Sequence, residues 1–441
     1  MNLKKAFSAL AICAISGLPV TSHAQAVDTV SPAIRFIDEW GRTTRRMMDG
    51  ATGYIPAGSS LALGPVASFI GYNTLEGFRL GLGVKTTAGL SRHISIGGYG
   101  AYAFGDHRWK YGAEAEWSFR QVDSYYGSYP INALKGVFSY DTEALGASSL
   151  SCATSASRFR FSLRRNEMML YRREGRLEYN LEPSVITAIR ISGSRERYYP
   201  TRFIGFGPLH TLDAWRLSGQ FLWHIGGDMF QTPTRRINLK PYAPTLALRG
   251  QWVKGASDAD HTDMLIVEAC AEKSTPLGSS ASTFSVLAHA AVTVGHGAFP
   301  FMPSLPSSPY ILRRFGSFAL LRPLELPSDR YIDLHMRFDD GGYLLGLIPA
   351  IKPLGISATA SFDAAVGSLS DSNNPSLDSS LPPFPYYPEK SLTWSRPYAE
   401  AGIGLDNILG IGRIEYVWRL NYRSNVGARR GGIAIGIDML F

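Results

Sequence analysis

Apolar and polar residues alternate with a period of two along most of the chain after residue 60. Between Trp109 and Phe119, for example, every second residue is aromatic or alanine, and the intervening residues are polar or glycine. This is the period of a β-strand, whose successive side chains point to opposite faces. The pattern predicts an all-β protein made of antiparallel strands with one apolar and one polar face.

The alternation recurs in about sixteen segments, and an even number lets both ends of a barrel lie on one side of a membrane. The alternative is about fourteen strands, because the first segment contains Pro65 and the sixth is crowded with arginine. The predicted strands are 61–71, 76–88, 93–104, 108–120, 133–144, 166–182, 185–197, 212–224, 242–253, 263–273, 284–295, 329–338, 355–366, 397–406, 413–423 and 430–441.

Tryptophans mark both ends of the apolar face in two of these segments. Trp109 and Trp117 are eight residues apart, as are Trp215 and Trp223. Eight residues span about 26 Å along a strand, or roughly 20 Å of membrane height once the strand is tilted. Membrane barrels carry an apolar band about 25 Å tall between two aromatic girdles. We therefore predict a transmembrane antiparallel β-barrel whose aromatic girdle includes these residues and Trp418.

The final segment alternates as far as Phe441, the C-terminal residue. An alternating strand that ends on an aromatic residue is typical of bacterial outer-membrane barrels, so we predict Phe441 as the terminal assembly signal. The expected location is the outer membrane of a Gram-negative bacterium. The expected partners are outer-membrane lipid and, during insertion, the barrel-assembly machinery.

The beginning of the chain has the features of an export signal. Residues 1–26 combine two early lysines, an apolar run and a small-residue cleavage site, which together indicate a secretory signal peptide. Residues 27–60 are predicted to be a periplasmic segment with a short helix that starts at Ser31 and could cover the barrel mouth. The barrel is predicted to occupy residues 61–441.

The net charge adds little to this picture. The formal charge of +8 becomes +6 when the two signal lysines are removed. Either a generic basic surface or an arginine-rich lumen explains that value, and nucleic acid is a poor partner for an exported chain. No apolar run after the signal reaches the ~18 residues of a transmembrane helix.

Two cysteines, Cys152 and Cys270, remain after removal of the signal. The export route permits a disulfide between them. Two unpaired cysteines are the simpler interpretation, and the disulfide stays open as the alternative at this point.

The polar faces carry charges of both signs. Because an isolated buried charge is costly, these residues must be hydrated in a channel or paired in a network. A hydrated lumen predicts conduction, a paired lumen predicts a plugged barrel, and the sequence does not choose between them. The charged residues that the period of two directs into the lumen are Arg79, Lys85, Lys110, Glu114, Glu116, Asp333, Arg337, Glu400, Asp406, Arg413, Glu415, Arg419 and Asp438.

The longest connections are 296–328 and 367–396, and both fall on the outer side of the predicted barrel. The first is rich in proline and apolar residues, so we expect it to fold onto or into the lumen. Arg313, Arg314 and Arg330 are its candidate lumen anchors.

Sequence motifs for catalysis are absent. The chain contains no Gly-x-Ser-x-Gly, His-Glu-x-x-His or Cys-x-x-Cys motif and no phosphate-binding glycine loop. We therefore predict a protein without catalytic residues, cofactor or metal site that acts as a pore, a transporter or exporter, or a surface scaffold. The alternatives are a barrel-embedded hydrolase that uses a lumen histidine, such as His289 with Ser285 on its own face, and a soluble secreted β-protein.

Three blocks of the chain, residues 64–119, 308–338 and 397–422, resemble a Bacteroidetes family of outer-membrane β-barrels of unknown function. Longer members of that family carry a carboxypeptidase-regulatory-like domain before the barrel. The resemblance implies a fold and a location but no mechanism. A looser similarity in architecture links the chain to the sixteen-stranded barrels of outer-membrane assembly and two-partner secretion, in which the loop after the eleventh strand enters the lumen.

Overall fold

The structure is a computed structural model, and no helix in the part that it describes is long and apolar enough to cross a membrane. It describes residues 54–65, 69–122, 130–146, 150, 166–231, 236–240, 242–256, 261–278, 281–308, 312–385, 391–410 and 412–437. The predictions that lie outside these residues are the signal peptide, the helix that starts at Ser31, and the placements of Cys152, Asp438 and Phe441.

Nearly all regular structure in the described chain is β-strand. The alternation of side chains explains this result, because each strand buries its polar face and exposes its apolar face. The strands are β1 (Ile55–Ala57), β2 (Leu61–Leu63), β3 (Ile70–Asn73), β4 (Gly77–Thr86), β5 (Ile94–Ala103), β6 (Arg108–Ser118), β7 (Asn132–Ala144), β8 (Met169–Ser184), β9 (Thr187–Tyr199), β10 (Leu212–His224), β11 (Met229–Gln231), β12 (Arg236–Asn238), β13 (Thr245–Gly255), β14 (Asp263–Pro276), β15 (Thr283–His296), β16 (Arg330–Asp339), β17 (Ser357–Ser368), β18 (Tyr398–Ile408), β19 (Gly412–Arg419) and β20 (Gly431–Ile437).

These strands form one antiparallel meander of eighteen strands, while β11 and β12 form a separate hairpin. β2 and β3 pair with the same edge of β4, so they are two halves of one strand that is interrupted near Pro65. The sheet has sixteen long strands once those halves are counted together and the three-residue β1 is set aside. The predicted fold class is therefore confirmed. β1 lies in the predicted helical segment 27–60, where residues 55–57 instead pair with β2.

The two ends of the sheet are not joined by strand pairing in the described chain. β20 pairs with β19, and no pairing connects β20 to β1, β2 or β3 among the described residues. The sheet nevertheless curls around residues 297–329, the connection between β15 and β16, which we call the inner segment. Buried residues of this segment pack against strands from β8 to β20.

Three apolar clusters fix the inner segment inside the curl. Phe299 and Phe301 pack against side chains of β8, β9, β10, β13 and β14. Phe318 packs in a second cluster with residues of β15 to β18, and its ring lies at 77° to that of Tyr398, with 5.2 Å between the centroids. Leu320 packs against β19 and β20. The segment is therefore part of the core.

The exposed face of the sheet is apolar and the buried face is charged, which is the reverse of the arrangement in a soluble protein. On β4, Phe78, Leu80 and Leu82 are exposed, whereas Arg79 and Lys85 on the other face are buried. The same inversion holds along the other long strands. Apolar side chains thus form the outer surface, and charged side chains line the interior.

Candidate functional site

The inner segment brings one arginine to two carboxylates of the wall. Arg313 Nη1 donates to Glu415 Oε2 on β19 at 2.9 Å, and Arg313 Nη2 donates to Asp363 on β17. Its Nε donates to the carbonyl oxygen of Ser317 at 3.0 Å. All three charged groups are buried. Burial alone would lower the pKa of Arg313, but the two carboxylates raise it above its ordinary value, so the guanidinium stays charged.

Hydrogen bonds and a longer ion-pair contact continue from Asp363 along the inner faces of β17, β16, β15 and β14. His335 Nδ1 lies 2.7 Å from Asp363 Oδ1, and His335 Nε2 lies 3.1 Å from Asp333 Oδ1. The other oxygen of Asp333 lies 3.0 Å from His289 Nδ1, and His289 Nε2 lies 3.6 Å from Glu268 Oε1. Because both nitrogens of His335 face carboxylate oxygens, this geometry suits an imidazolium that donates from both sides.

A second anchor is a wall carboxylate that binds the backbone of the inner segment. Glu400 on β18 accepts the N–H groups of Ala319, Leu320 and Leu321 at 2.8, 2.9 and 3.1 Å. The hydroxyl of Tyr398 donates to the same carboxylate at 2.6 Å. Three consecutive backbone donors aimed at one buried carboxylate fix both the position and the direction of the segment.

The third anchor has the reverse polarity. Arg419 on β19 donates from Nη2 to Glu325 Oε1 at 2.7 Å and from Nη1 to Glu325 Oε2 at 3.2 Å. This is a bidentate pair between two buried side chains, and the amide of Asn425 also donates to Glu325 at 3.3 Å. The segment is thus tied to β17, β18 and β19 by groups of both signs.

The opposite side of the lumen holds a polar cavity of about 210 Å³ between the inner faces of β7 to β14 and Pro300–Ser304 of the inner segment. The wall charges here pair with one another. Arg216 contacts Glu196 at 3.1 and 3.2 Å, and Arg249 Nε lies 2.6 Å from Glu268. The charged lining residues are Glu143, Arg172, Glu174, Arg176, Glu178, Arg190, Glu196, Arg216, Arg249 and Glu268.

The first strands of the barrel have charges that also pair along the wall. Arg79 Nη1 lies 2.6 Å from Asp141 Oδ1 on β7 and 3.1 Å from Glu76 Oε1. Lys110 lies 2.5 Å from Asp106. Lys85 on β4 lies 3.0 Å from Glu114 and 3.5 Å from Glu116, the two predicted lumen carboxylates of β6.

The remaining lumen residues predicted from the sequence lie close together where β16 and β18 end and β19 begins. The guanidinium of Arg337 lies 4.5 Å from the ring centroid of Phe315 in the inner segment and 4.0 Å from Asp406. Arg413 lies 4.0 Å from Asp406 and 3.7 Å from Glu415. Arg413 therefore joins the group of charges around the Arg313 anchor.

The prediction that Arg330 anchors the inner segment in the lumen is wrong. Arg330 is the first residue of β16 and is exposed on the outer face, because Tyr331 and Asp333 occupy the inward positions. Arg314 is half-buried, and its carbonyl oxygen accepts a hydrogen bond from Ser317 Oγ at 2.7 Å. Among the three candidate anchors, Arg313 contacts the wall carboxylates described above.

All five girdle tryptophans, Trp109, Trp117, Trp215, Trp223 and Trp418, are exposed on the outer face. Asp363 and Glu325 belong to the anchors but are absent from the predicted site residues, whereas the period of two directs His335, like His289, into the lumen. The period of two could also have found Asp363, which lies on the polar face of β17. Glu325 lies in irregular backbone, where no periodicity exists to assign its direction.

No family model and no curated protein matches the chain, so the resemblance to the Bacteroidetes barrels stays a prediction. Similar solved structures include BamA from Haemophilus ducreyi lacking POTRA domains 1–3, with 12% identity over 85% of this chain and 70% of that chain and a TM-score of 0.47.

CdiB from Escherichia coli has 10% identity over 86% of this chain and 62% of that chain, with a TM-score of 0.42. The outer-membrane protein OprD from Pseudomonas aeruginosa has 10% identity over 82% of this chain and 87% of that chain, with a TM-score of 0.35. Identities this low transfer no functional residue, so the function must be inferred from the geometry of this chain.

Proposed function

We propose that the protein is a non-enzymatic transport barrel of the Gram-negative outer membrane, closed at rest by its own inner segment. The membrane location is supported by the outward-facing apolar side chains and the exposed tryptophans. Only lipid makes such a surface favourable, since a soluble protein rarely exposes an apolar patch of this extent. Insertion would use the barrel-assembly machinery, with Phe441 as the signal.

The observation that carries this proposal is the set of three polar anchors on one segment. Arg313, the backbone at Ala319–Leu321, and Glu325 each meet a buried partner of the wall. Removal of one partner from a buried ion pair typically costs about 3–5 kcal/mol, because the other charge stays buried without compensation. Anchors of this kind hold the segment in place until a cargo or partner supplies compensating contacts.

The polar cavity on the other side of the lumen is the proposed start of the transport path. Pro300–Ser304 of the inner segment cover this cavity. A movement of the segment away from the wall would lengthen the cavity into a continuous polar channel. The alternating arginine and glutamate side chains suit a hydrated solute rather than an apolar one.

The alternative of a hydrolase is less well supported. Ser285 Oγ pairs with Ser274 Oγ at 2.8 Å, and both ring nitrogens of His289 face carboxylates. A catalytic pair needs the serine oxygen within hydrogen-bond reach of the histidine. If the protein hydrolysed ester, lipid or peptide substrates and His289→Ala abolished that activity, the hydrolase alternative would be supported.

A planar-bilayer experiment tests the proposal. We expect the purified mature chain to insert without steady current, and the Arg313→Ala/Glu400→Gln double variant to give stepwise currents, because two anchors of the plug are lost. Arg314→Ala serves as the matched control and should stay silent. Large steady currents from the unchanged protein would contradict a resident plug, and insertion failure of the unchanged protein would contradict the membrane location.

A further inference from the structure

Residues 341–356, which make up most of the connection between β16 and β17, are almost wholly apolar. We call this stretch the apolar turn. Lys352 is its one charged residue. It contains the short helix α1 (Tyr343–Gly346) and a single 3-10 turn (Lys352–Leu354). A stretch of 16 residues with this composition is unexpected at a water-exposed barrel end.

The apolar side chains of this turn do not pack into the barrel. Tyr343 is 66% exposed and Leu347 is 68% exposed, and Leu344 and Ile348 are exposed as well. No residue of α1 is buried. In water these neighbouring side chains would form an unfavourable apolar patch, so the turn needs an apolar surrounding.

The backbone of the apolar turn is prepared for such a surrounding. Most of its N–H groups find acceptors either within the turn or on Asp339 and Asp340; those within the turn include Gly346 N to Gly342 O at 2.9 Å, Ile351 N to Ile348 O at 2.9 Å and Leu354 N to Ile351 O at 2.8 Å. Pro349 and Pro353 have no N–H group to satisfy. Internal pairing of backbone donors is what a segment needs in order to enter a region poor in water.

The conformation of the turn is fixed by Asp340, the residue that directly follows β16. Its carboxylate accepts the N–H groups of Gly342 at 2.9 Å, Leu344 at 2.7 Å and Ala358 at 2.7 Å. Since Ala358 lies in β17, this buried side chain ties α1 to both strands. The apolar side chains are therefore presented in a defined arrangement.

The turn lies at the barrel end that also contains Leu61 of β2 and Ile437 of β20, which is the periplasmic end in the proposed orientation. The turn joins β16 to β17, so it adjoins the apolar outer faces of these two strands. Phe338 on β16 and Phe362 on β17 are exposed there and continue the apolar surface towards the turn. This continuity identifies lipid, rather than a periplasmic protein, as the occupant.

We infer that the apolar turn is an interfacial anchor that inserts Tyr343, Leu344, Leu347 and Ile348 into the periplasmic leaflet of the membrane. The amine of Lys352 would reach the lipid phosphates from there, as lysine does at membrane interfaces. This inference rests on the proposed membrane location, and it adds a lipid-binding element that is not a strand. The anchor adjoins β16 and β17, the strands that carry Asp333, His335 and Asp363.

Spin labelling tests the inference in vesicles of phosphatidylethanolamine and phosphatidylglycerol. Single cysteines replace Leu347, Leu90 or Ile403 in a full-length mature chain that carries Cys152→Ser and Cys270→Ala. Leu90 is 61% exposed in a polar turn at the same barrel end, and Ile403 is 59% exposed in the middle of the outer face of β18. Each nitroxide is exposed to oxygen, which concentrates in lipid, and to a water-soluble nickel complex.

We expect the ratio of oxygen to nickel collisions to be several-fold higher at Leu347→Cys than at Leu90→Cys, and highest at Ile403→Cys. A ratio at Leu347→Cys equal to that at Leu90→Cys would overturn the inference while Ile403→Cys still reports lipid. A label at Leu347→Cys that neither reagent reaches would also overturn it, since protein would then cover the turn. A low ratio at Ile403→Cys would instead overturn the proposed membrane location.

In a second test, Leu344→Asp/Leu347→Asp should shift a spin label at Ile348→Cys from the lipid-like ratio to the ratio found at Leu90→Cys. Charges at these two positions oppose insertion without touching the barrel wall. An unchanged lipid-like ratio at Ile348→Cys would overturn the inference, because the anchor would then not depend on apolar side chains.

Discussion

The two sides of the lumen use the same kinds of residue in different ways. On the side of β15 to β20, wall carboxylates meet a charge of the inner segment, as Asp363 and Glu415 meet Arg313. On the side of β7 to β14, the charges line a cavity and pair with neighbours on the wall, as Arg216 pairs with the buried Glu196. The inner segment contacts both sides, but it presents charged groups to β17–β19 and the apolar rings of Phe299 and Phe301 to β8–β14.

A polar lumen can therefore be plugged on one side and leave a cavity for solute on the other. Where the segment excludes water, a wall charge is stable only with a charged or hydrogen-bonding partner, on the segment or on the wall. Where the segment leaves space, water and lateral partners suffice, and the loss of one partner should be tolerated better. Substitutions on the two sides should therefore have different costs.

The largest effect is expected from Arg313→Ala. It leaves Asp363 and Glu415 buried near each other without their shared cation, so we expect the free energy of unfolding in detergent to fall by about 3–5 kcal/mol. Urea unfolding measures this change, and the folded fraction at each urea concentration is read from the different electrophoretic mobility of unheated folded and unfolded protein. Arg314→Ala is the control, and an equal loss in both variants would mean that the anchor is not specific.

A smaller effect is expected from Glu400→Gln. An amide retains one acceptor oxygen but turns a nitrogen towards backbone donors, so about 1–3 kcal/mol should be lost and residues 319–321 should become easier to cleave. Limited proteolysis in micelles measures the cleavage. Glu116→Gln, on the wall away from the segment, is the matched control. Unchanged protection of residues 319–321 would mean that the inner segment does not need this anchor.

On the cavity side, Arg216→Ala should cost less than Arg313→Ala, about 1–3 kcal/mol, because it strands one buried carboxylate, Glu196, beside a polar cavity that water can enter. In the Arg313→Ala/Glu400→Gln background, the same change should reduce anion permeability relative to cation permeability, because a positive charge leaves the path. The reversal potential in a salt gradient measures this ratio. A stability loss as large as that of Arg313→Ala would remove the distinction between the two sides.

The smallest effect is the coupling between the two sides. Arg313 and Arg216 hydrogen-bond to different residues, so the stability effects of their alanine variants should add within about 0.3–0.5 kcal/mol in a double-mutant cycle. A coupling well above that range would show that the two sides respond as one network.

The sequence predicts the faces of the strands well and the partners of the charges poorly. The period of two is a property of the strand backbone, so it assigns Glu400 and Arg419 to the lumen without any knowledge of their neighbours. Which residue meets Glu400 depends on the path of the inner segment, whose backbone is irregular. Arg330 was assigned to the segment as an anchor, but it is the first residue of β16 and points outward.

We expect the inner segment to lie inside the barrel in the membrane-inserted protein as well. Ala319 of the segment and Ala434 of β20 belong to one buried cluster, so cysteines at both positions test this placement in a chain without Cys152 and Cys270. A disulfide should form in vesicles on mild oxidation, with no steady current before or after. Absence of the disulfide together with steady current through the reduced protein would overturn this placement, since the segment would then lie outside an open lumen.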